Sequence, residues 1–312
     1  MYVALAGGVG AARFLRGLVR VVPPAAVTVV VNTADDEVFH GLHVSPDLDT
    51  VTYTLAGAEH PEQGWGLEGE TFATIEALGR YGRPNWFRLG DKDLATHLYR
   101  TERLAEGATL STVTNEIAEA WGVGPHLLPM SDDPIATRIT VRRPDGTAEE
   151  LPMQEWFVHE RAEAAVTSVR FEGAEAAAPA PGVIEVIESA ETILVCPSNP
   201  VISIGPILSV PGVREALVGR RERVVGVSPI VAGRPVKGPA DRLMAGLGLD
   251  VSCVGVARVY AEFCSTLVID ARDAHRAAEV EATGVRAVVA DTLMTDARVA
   301  AALARHTLDA VA

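Results

Sequence analysis

Four aspartates in two short segments, Asn32-Thr33-Ala34-Asp35-Asp36 and Val44-Ser45-Pro46-Asp47-Leu48-Asp49-Thr50, mark the chemistry of this chain, and no lysine or arginine lies within or between them. Carboxylates gathered without a cation repel one another, and a hard divalent ion is the usual relief. At least two of the four are therefore expected on a metal. Asp35 and Asp36 follow an apolar strand pattern, and adjacent residues point apart, so one can hold the ion while the other caps a helix or meets solvent. Asp47 could likewise cap a helix beginning at Pro46, which leaves Asp49 the better ligand.

Three further stretches suit an anionic or planar ligand. Leu5-Ala6-Gly7-Gly8-Val9-Gly10-Ala11-Ala12-Arg13 joins an apolar segment to an amphipathic one. A glycine turn opening a helix leaves free N–H groups for phosphate, with Arg13 as a nearby cation, although close strand–helix packing uses glycine in the same way. The run lacks both the Lys-Ser/Thr of a P-loop and the third glycine of a dinucleotide fingerprint. Two stiff loops, Pro197 to Pro206 and Val227 to Pro239, are rich in Pro, Gly, Ser and Asn. At neighbouring strand ends they could present amides and hydroxyls to a nucleotide, with Lys237 or Arg234 supplying charge. Trp86 to His97 combines an aromatic wall, a glycine turn and polar groups, which fits a planar ring with a hydroxylated tail. Asp91 could instead cap the helix that contains His97, and His97 is either a base or an ordinary helix histidine. Asp132-Asp133 either joins the site or ends a strand before a hairpin, and no metal is assigned to it.

The elements that must position these residues alternate. Tyr2–Ala6, Val27–Asn32, Thr192–Cys196, Val224–Ser228, Leu267–Asp270 and Ala287–Ala290 read as buried strands, most followed by helical periodicity. That rhythm predicts an α/β fold, Rossmann-like and doubly wound, with a mostly parallel sheet whose ligands sit beyond the strand carboxyl ends. Residues from roughly 60 to 175 break it. Thr71–Tyr81, Lys92–Leu104 and Leu110–Trp121 read as helices, the last capped by Thr109 or Ser111. Ala136–Arg143 and Thr147–Pro152 read as a hairpin turned by Pro144-Asp145-Gly146, followed by a short helix at Gln154–Glu160 and a strand at Thr167–Phe171. This stretch is expected to be a helical and β-hairpin insertion in a single domain spanning 1–312. Ala174 to Gly182 reads as a surface loop, and Val299–Val311 as an amphipathic helix.

Composition narrows the function class. A net charge of −14 and a pI near 5.0 argue against non-specific nucleic-acid binding, which needs cations for phosphates. No apolar run approaches the roughly 18 residues of a membrane span, and the first residues enter a strand pattern without a signal-peptide charge pattern. Cys196, Cys253 and Cys264 form neither a disulfide framework nor a zinc pattern, so a reducing cytoplasm is expected.

In this order, Gly7–Arg13, Val31–Asp36, Ser45–Tyr53, Leu89–His97, Leu128–Asp133, Gln154–Phe157, Pro197–Pro206, Ser228–Gly238 and Ala290–Thr295 resemble the 2-phospho-L-lactate transferase family of deazaflavin coenzyme F-420 biosynthesis, with its phosphoenolpyruvate-using actinobacterial relatives. Ser45–Thr50 and Ser198–Pro206 are the specific motifs. The resemblance implies a homodimeric Rossmann-like transferase of the EC 2.7.8 class. Its expected reaction moves a phospho-carboxylate unit (2-phospholactate, phosphoenolpyruvate or 3-phosphoglycerate) from a guanosine-diphosphate-activated donor to the terminal hydroxyl of the deazaflavin FO, releasing GMP. It implies Mg2+ on Asp35 and Asp49, the catalytic acids, with Asp49 and Thr50 also at the FO position, where Arg88, Asp91 and His97 would contact the acceptor. Gly8, Gly10, Arg13, Ser198, Asn199, Ser203, Gly205, Lys237 and Gly238 are expected to face the nucleotide. Ala34 replaces a glycine of some actinobacterial members and suggests the archaeal-type pattern without deciding the donor. A sugar-nucleotide-binding regulatory protein of the related family shares the glycine-rich start and an acidic strand end, and is the alternative. A nicotinamide dehydrogenase is disfavoured by the missing third glycine.

Overall fold

Short β-branched runs buried on both faces form the centre of the molecule, as expected for strands covered by helices on either side. In the computed structural model, which describes residues 1–311, these are β1 (Tyr2–Ala6), β2 (Val27–Val31), β3 (His126–Pro129), β4 (Thr192–Val195), β5 (Val224–Val227), β6 (Thr266–Asp270) and β7 (Arg286–Ala290). They make one parallel seven-stranded sheet in the order β7-β6-β5-β4-β1-β2-β3. The protein is thus an α/β fold of the doubly wound kind that the alternation of strands and helices predicts.

The chain runs outward from β1 through β2 to β3 on one side, then returns to β4 and runs outward on the other. β1 and β4 are therefore neighbours across the reversal, with Leu5 paired to Val195. Their outgoing turns diverge there and leave a crevice at the strand carboxyl ends, where open α/β sheets place their ligands.

Helix α1 (Gly8–Leu18) starts directly after β1 and packs against α2 (Pro46–Ala56) and the C-terminal helix Ala297–Asp309. A side chain at Gly10 would place its Cβ 2.3 Å from the Pro197 carbonyl oxygen, so the start of α1 can lie against the β4 exit turn only as glycine. The packing use of these glycines is real, and it serves the crevice by bringing its two walls together.

The middle region divides. Ala136–Arg142, Ala148–Pro152 and Ala165–Glu172 form a separate antiparallel sheet, with Gly146 in the left-handed region at the hairpin turn. Helices α3 (Asp93–Ala105) and α4 (Leu110–Ala120) precede it, and the Thr109 hydroxyl accepts the Thr112 amide as the α4 cap. β3, however, lies inside the stretch of 60–175 and returns to pair with β2, so that stretch is not one uninterrupted excursion from the main sheet. Its four residues, His126-Leu127-Leu128-Pro129, are too short a run to announce a strand. Gln154–Glu160 holds a single wide turn at Glu155–His159. Ala174, Ala177 and Ala180 are buried, which makes that loop packed and not merely superficial. No single helix among the described residues is long and apolar enough to cross a membrane.

Candidate functional site

The crevice opens into a cavity of about 450 Å³ where the carboxyl ends of β1, β2 and β4 meet α2, α3 and two aromatic loops. Asp35, Asp47, Asp49 and Thr50 reach it from the β2 exit and the first turn of α2. Gly8, Gly10 and Arg13 reach it from α1, and Ser198, Asn199 and Ser203 from the β4 exit. Arg88, His97, Lys237 and Gly238 complete the expected set.

Two expected residues lie elsewhere. Asp91 accepts the Thr71 hydroxyl at 2.5 Å and the Ala73 and Thr74 amides at 2.9 Å, so it caps the helix Ala73–Gly79 and does not line the cavity. Those bonds hold its carboxyl well below the usual range. Gly205 also stands outside the cavity lining, beside the Phe171 ring, from which a Cβ on it would lie 3.1 Å. Each was expected as a contact because a polar or glycine-rich turn exposes its residue types without revealing which way they face.

Asp35 and Asp47 share one amide group. Asn32 Nδ2 donates to Asp35 Oδ2 at 3.2 Å and to Asp47 Oδ2 at 2.9 Å. Burial pushes the Asp47 carboxyl up to about 6, and burial with the Asp47 charge pushes Asp35 well above its ordinary value. Asp35 Oδ1 is buried and has no hydrogen-bond partner among the described residues. Asp36 faces an adjoining cavity of about 860 Å³, accepts the Ser45 hydroxyl at 2.6 Å, and is also raised by burial. Acids raised by burial, close together, one of them with an unpartnered buried oxygen, are a donor set suited to a hard divalent cation.

Asp49 differs from this group through Arg100, a residue the sequence reading missed. The guanidinium of Arg100 grips both oxygens of Asp49, with Nη1 at 3.2 Å from Oδ2 and Nη2 on Oδ1, and it also donates to the His43 carbonyl at 3.3 Å. Two of the four acids therefore sit nearer a cation than the sequence spacing implies, since Arg100 also acts on Asp36. Burial works against the charge of Arg100, and Asp49 more than restores it. The overlooked signal was a spacing: Asp93, His97 and Arg100 lie at i, i+4 and i+7, on one face of α3.

His97 lies between two acids, with Nδ1 3.7 Å from Asp49 Oδ2 and 3.4 Å from Arg100 Nη1, and Nε2 3.2 Å from Asp93 Oδ2. The Tyr53 hydroxyl stands 2.5 Å from Asp93 Oδ1 and 2.8 Å from the Thr96 hydroxyl. Against the upward push of burial, His97 and Tyr53 keep the Asp93 carboxyl below its ordinary value. Asp49, Asp93 and His97 offer ligand atoms within 4.8 Å of one another, close enough for a metal. Arg100 already supplies a positive charge there, whereas Asp35 and Asp47 have none beside them, so the latter pair has the greater electrostatic need for a cation.

The opposite wall is aromatic. Phe39 and Phe87 stack at 3.9 Å with Trp86 edge-on to both, and Arg88 lies 4.0 Å over the Phe72 ring. Ser198 accepts the Gly7 amide at 3.2 Å, and the Asn199 side chain caps its own turn through the Val201 and Ile202 amides. Asp132 and Asp133 do the structural work left open for them, accepting the Ser111 and Ala178 amides.

A family model described as 2-phospho-L-lactate transferase CofD matches residues 2–307. Among curated proteins, the chain is 48% identical to the phosphoenolpyruvate transferase of Streptomyces griseus subsp. griseus, covering 98% of this chain and 97% of that one. It is 46% identical to that of Kitasatospora aureofaciens (98% and 96% covered) and 40% identical to that of Mycolicibacterium smegmatis (98% and 97% covered). These sources weigh against reading Ala34 as a sign of the archaeal-type pattern. Among solved structures, a member of the UPF0052 family from Bacillus halodurans shares the fold, with a TM-score of 0.61 at 18% identity over 98% of both chains.

Proposed function

Because the chain belongs to the 2-phospho-L-lactate transferase CofD family, we propose that it transfers a phospho-carboxylate unit from a guanosine-diphosphate-activated donor to the terminal hydroxyl of FO in coenzyme F-420 biosynthesis. The names of its relatives favour phosphoenolpyruvate over 2-phospholactate or 3-phosphoglycerate as the unit carried. The observation that carries the reading is the convergence on one cavity of three buried carboxylates, a glycine turn, the Ser198–Asn199 turn and an aromatic wall.

In the proposed reaction the FO hydroxyl oxygen bonds to the distal phosphorus, the bond from that phosphorus to the bridging oxygen breaks, GMP departs with the electron pair, and the hydroxyl proton is released to solvent. Such a transfer requires alignment and charge neutralisation more than covalent participation by the protein. Asp35 and Asp47, which have no cation beside them, are the acids that would hold Mg2+, whereas Asp49, expected beside Asp35 as a ligand, is held by Arg100. When bound, the ion would offset the charge that develops on the diphosphate. The aromatic wall suits the planar deazaflavin, with Arg88 and Thr50 on the acceptor side. Asp49, immobilised by Arg100, orients the attacking hydroxyl, and His97 beneath it steadies the same carboxylate. Gly8, Gly10, Ser198, Asn199 and Ser203 face the nucleotide side. The three free, buried thiols suit a reducing cytoplasm, and a homodimer is the proposed assembly.

The direct test is incubation with FO, Mg2+ and each guanylated donor in turn, with mass analysis of the product. A new FO adduct together with GMP is the expected result, lost on chelation. Failure with every donor, or undiminished product after chelation, would overturn the proposal.

A further inference from the structure

The contacts around Asp49 have a direction, and Arg100 sets it. A guanidinium carries donors and no acceptor. His97 Nδ1, 3.4 Å from Arg100 Nη1, can therefore only accept. That leaves the ring proton on Nε2, which has Asp93 Oδ2 at 3.2 Å, bent off the N–H line. Asp93, as a carboxylate, accepts only, so the Tyr53 hydroxyl 2.5 Å from its Oδ1 is a donor. Asp93 thus receives from Tyr53 and faces the His97 N–H, while Arg100 gives to His97 and to both oxygens of Asp49.

The set joins two helices out of reach of water. Tyr53 comes from α2, one turn after Asp49, and Asp93, His97 and Arg100 share one face of α3. Tyr53, His97, Arg100 and Asp49 are all buried. The opposite tautomer would aim an Nδ1–H at the Arg100 N–H and leave a lone pair on Nε2 facing the Asp93 oxygen. Two repulsive contacts would then replace two attractive ones where the dielectric is low. The same assignment decides among the uses open to His97. With Nδ1 engaged by Arg100 and Nε2 protonated, the ring has no lone pair left for a metal, although Asp49, Asp93 and His97 stand close enough to share one. Nor can the ring take the proton of an attacking hydroxyl without turning an N–H against Arg100.

We propose that His97 acts in the transfer as a neutral spacer: Asp93 and Tyr53 hold its Nε2–H tautomer, and its Nδ1 fixes the Arg100 guanidinium and through it Asp49. Tyr53, Asp93 and His97 are then positioning residues, and none of them is the base. The effect on transfer rests on the function proposed above, whereas the tautomer does not.

The test begins with the ring-nitrogen chemical shifts of His97 in the full chain, isotope-labelled at histidine, at neutral pH with a chelator, its signals assigned by their loss in His97→Asn. A protonated-type shift at Nε2 and an unprotonated-type shift at Nδ1 are expected. The reverse pattern, or two protonated nitrogens, would overturn the proposal. In steady-state kinetics Tyr53→Phe should lower kcat about five-fold and Asp93→Ala at least twenty-fold, each with the KM of FO and of the donor within two-fold of wild type. His97→Asn, whose amide oxygen can still accept from Arg100, should keep at least ten-fold more kcat than His97→Leu. Tyr53→Phe keeps the ring in place and decides the matter if Asp93→Ala does not fold. Equal kcat in the two His97 variants, or losses confined to KM, would overturn the positioning role. The expected ring shifts in a wild-type chain that transfers from no donor would sink the proposed function and leave the order of contacts intact.

Discussion

Arg100→Met leaves Asp49 as a buried carboxylate without its cation, and the structure sets the scale of the damage. Arg100 is 2% exposed and Asp49 5%, so water reaches neither to replace the lost pair. Removing one partner of a buried ion pair costs about 3–5 kcal/mol, mostly from the charge left behind. At about 2.1 cal/mol/K of unfolding entropy per residue, 312 residues give about 0.65 kcal/mol/K. A loss of about 4 kcal/mol therefore lowers Tm by about 6 °C. The same argument requires the double variant Arg100→Met/Asp49→Asn to be less damaged than the sum of its single variants, by about 2 kcal/mol or more. Scanning calorimetry of wild type, both single variants and the double variant, all with chelator at neutral pH, measures the cycle. If Arg100→Met melts within 1 °C of wild type, or if the two single losses simply add, the buried clamp on Asp49 is refuted.

Three further outcomes follow from the same geometry. Because the Asp47 carboxyl is raised to about 6, its contribution to metal-free stability is fully present below about pH 4 and is lost as pH rises through about 6. This is a loss of roughly 3 kcal/mol at 1.36 kcal/mol per pKa unit. Denaturant midpoints from pH 4 to 7 should show that decline, Asp47→Asn should make it shallower while Asp35 and Asp36, also raised by burial, keep the remainder, and an unchanged slope in the variant would reject the assignment. Arg88→Ala should raise the KM for FO several-fold with little change in the donor KM, measured by steady-state kinetics, since Arg88 lines the cavity beside the aromatic wall. Asn199→Ala should weaken GDP binding and cost about 1 kcal/mol of stability through its lost cap, while Asn199→Asp, which keeps an acceptor oxygen at that position, should retain most of the stability. Equal losses in the two variants would argue against the capping role.

Much of the fold was legible because strand and helix periodicity is local. Tyr2–Ala6 is a strand at both ends as expected, and the neighbouring core strands shift by no more than a residue. β3 escaped because four residues carry too little periodicity, and its place was decided by pairing with β2 across nearly a hundred intervening residues. The site was legible in its residue types: acids, glycine turns and aromatics do share one cavity. Direction was not. Asp91 is turned away by bonds to Thr71, Ala73 and Thr74, partners distant along the chain, and Gly205 lies outside the cavity lining.

The sequence by itself determined the alternating α/β architecture, the family, and the concentration of carboxylates at the end of β2 and the start of α2. Only the tertiary structure decided which carboxylate has a cation. α3 folds back to set Arg100 on Asp49, 51 residues away in the chain, while Asp35 and Asp47 share only the Asn32 amide. Coulomb energy depends on separation in space and on exclusion of water, and neither quantity is written in the order of residues.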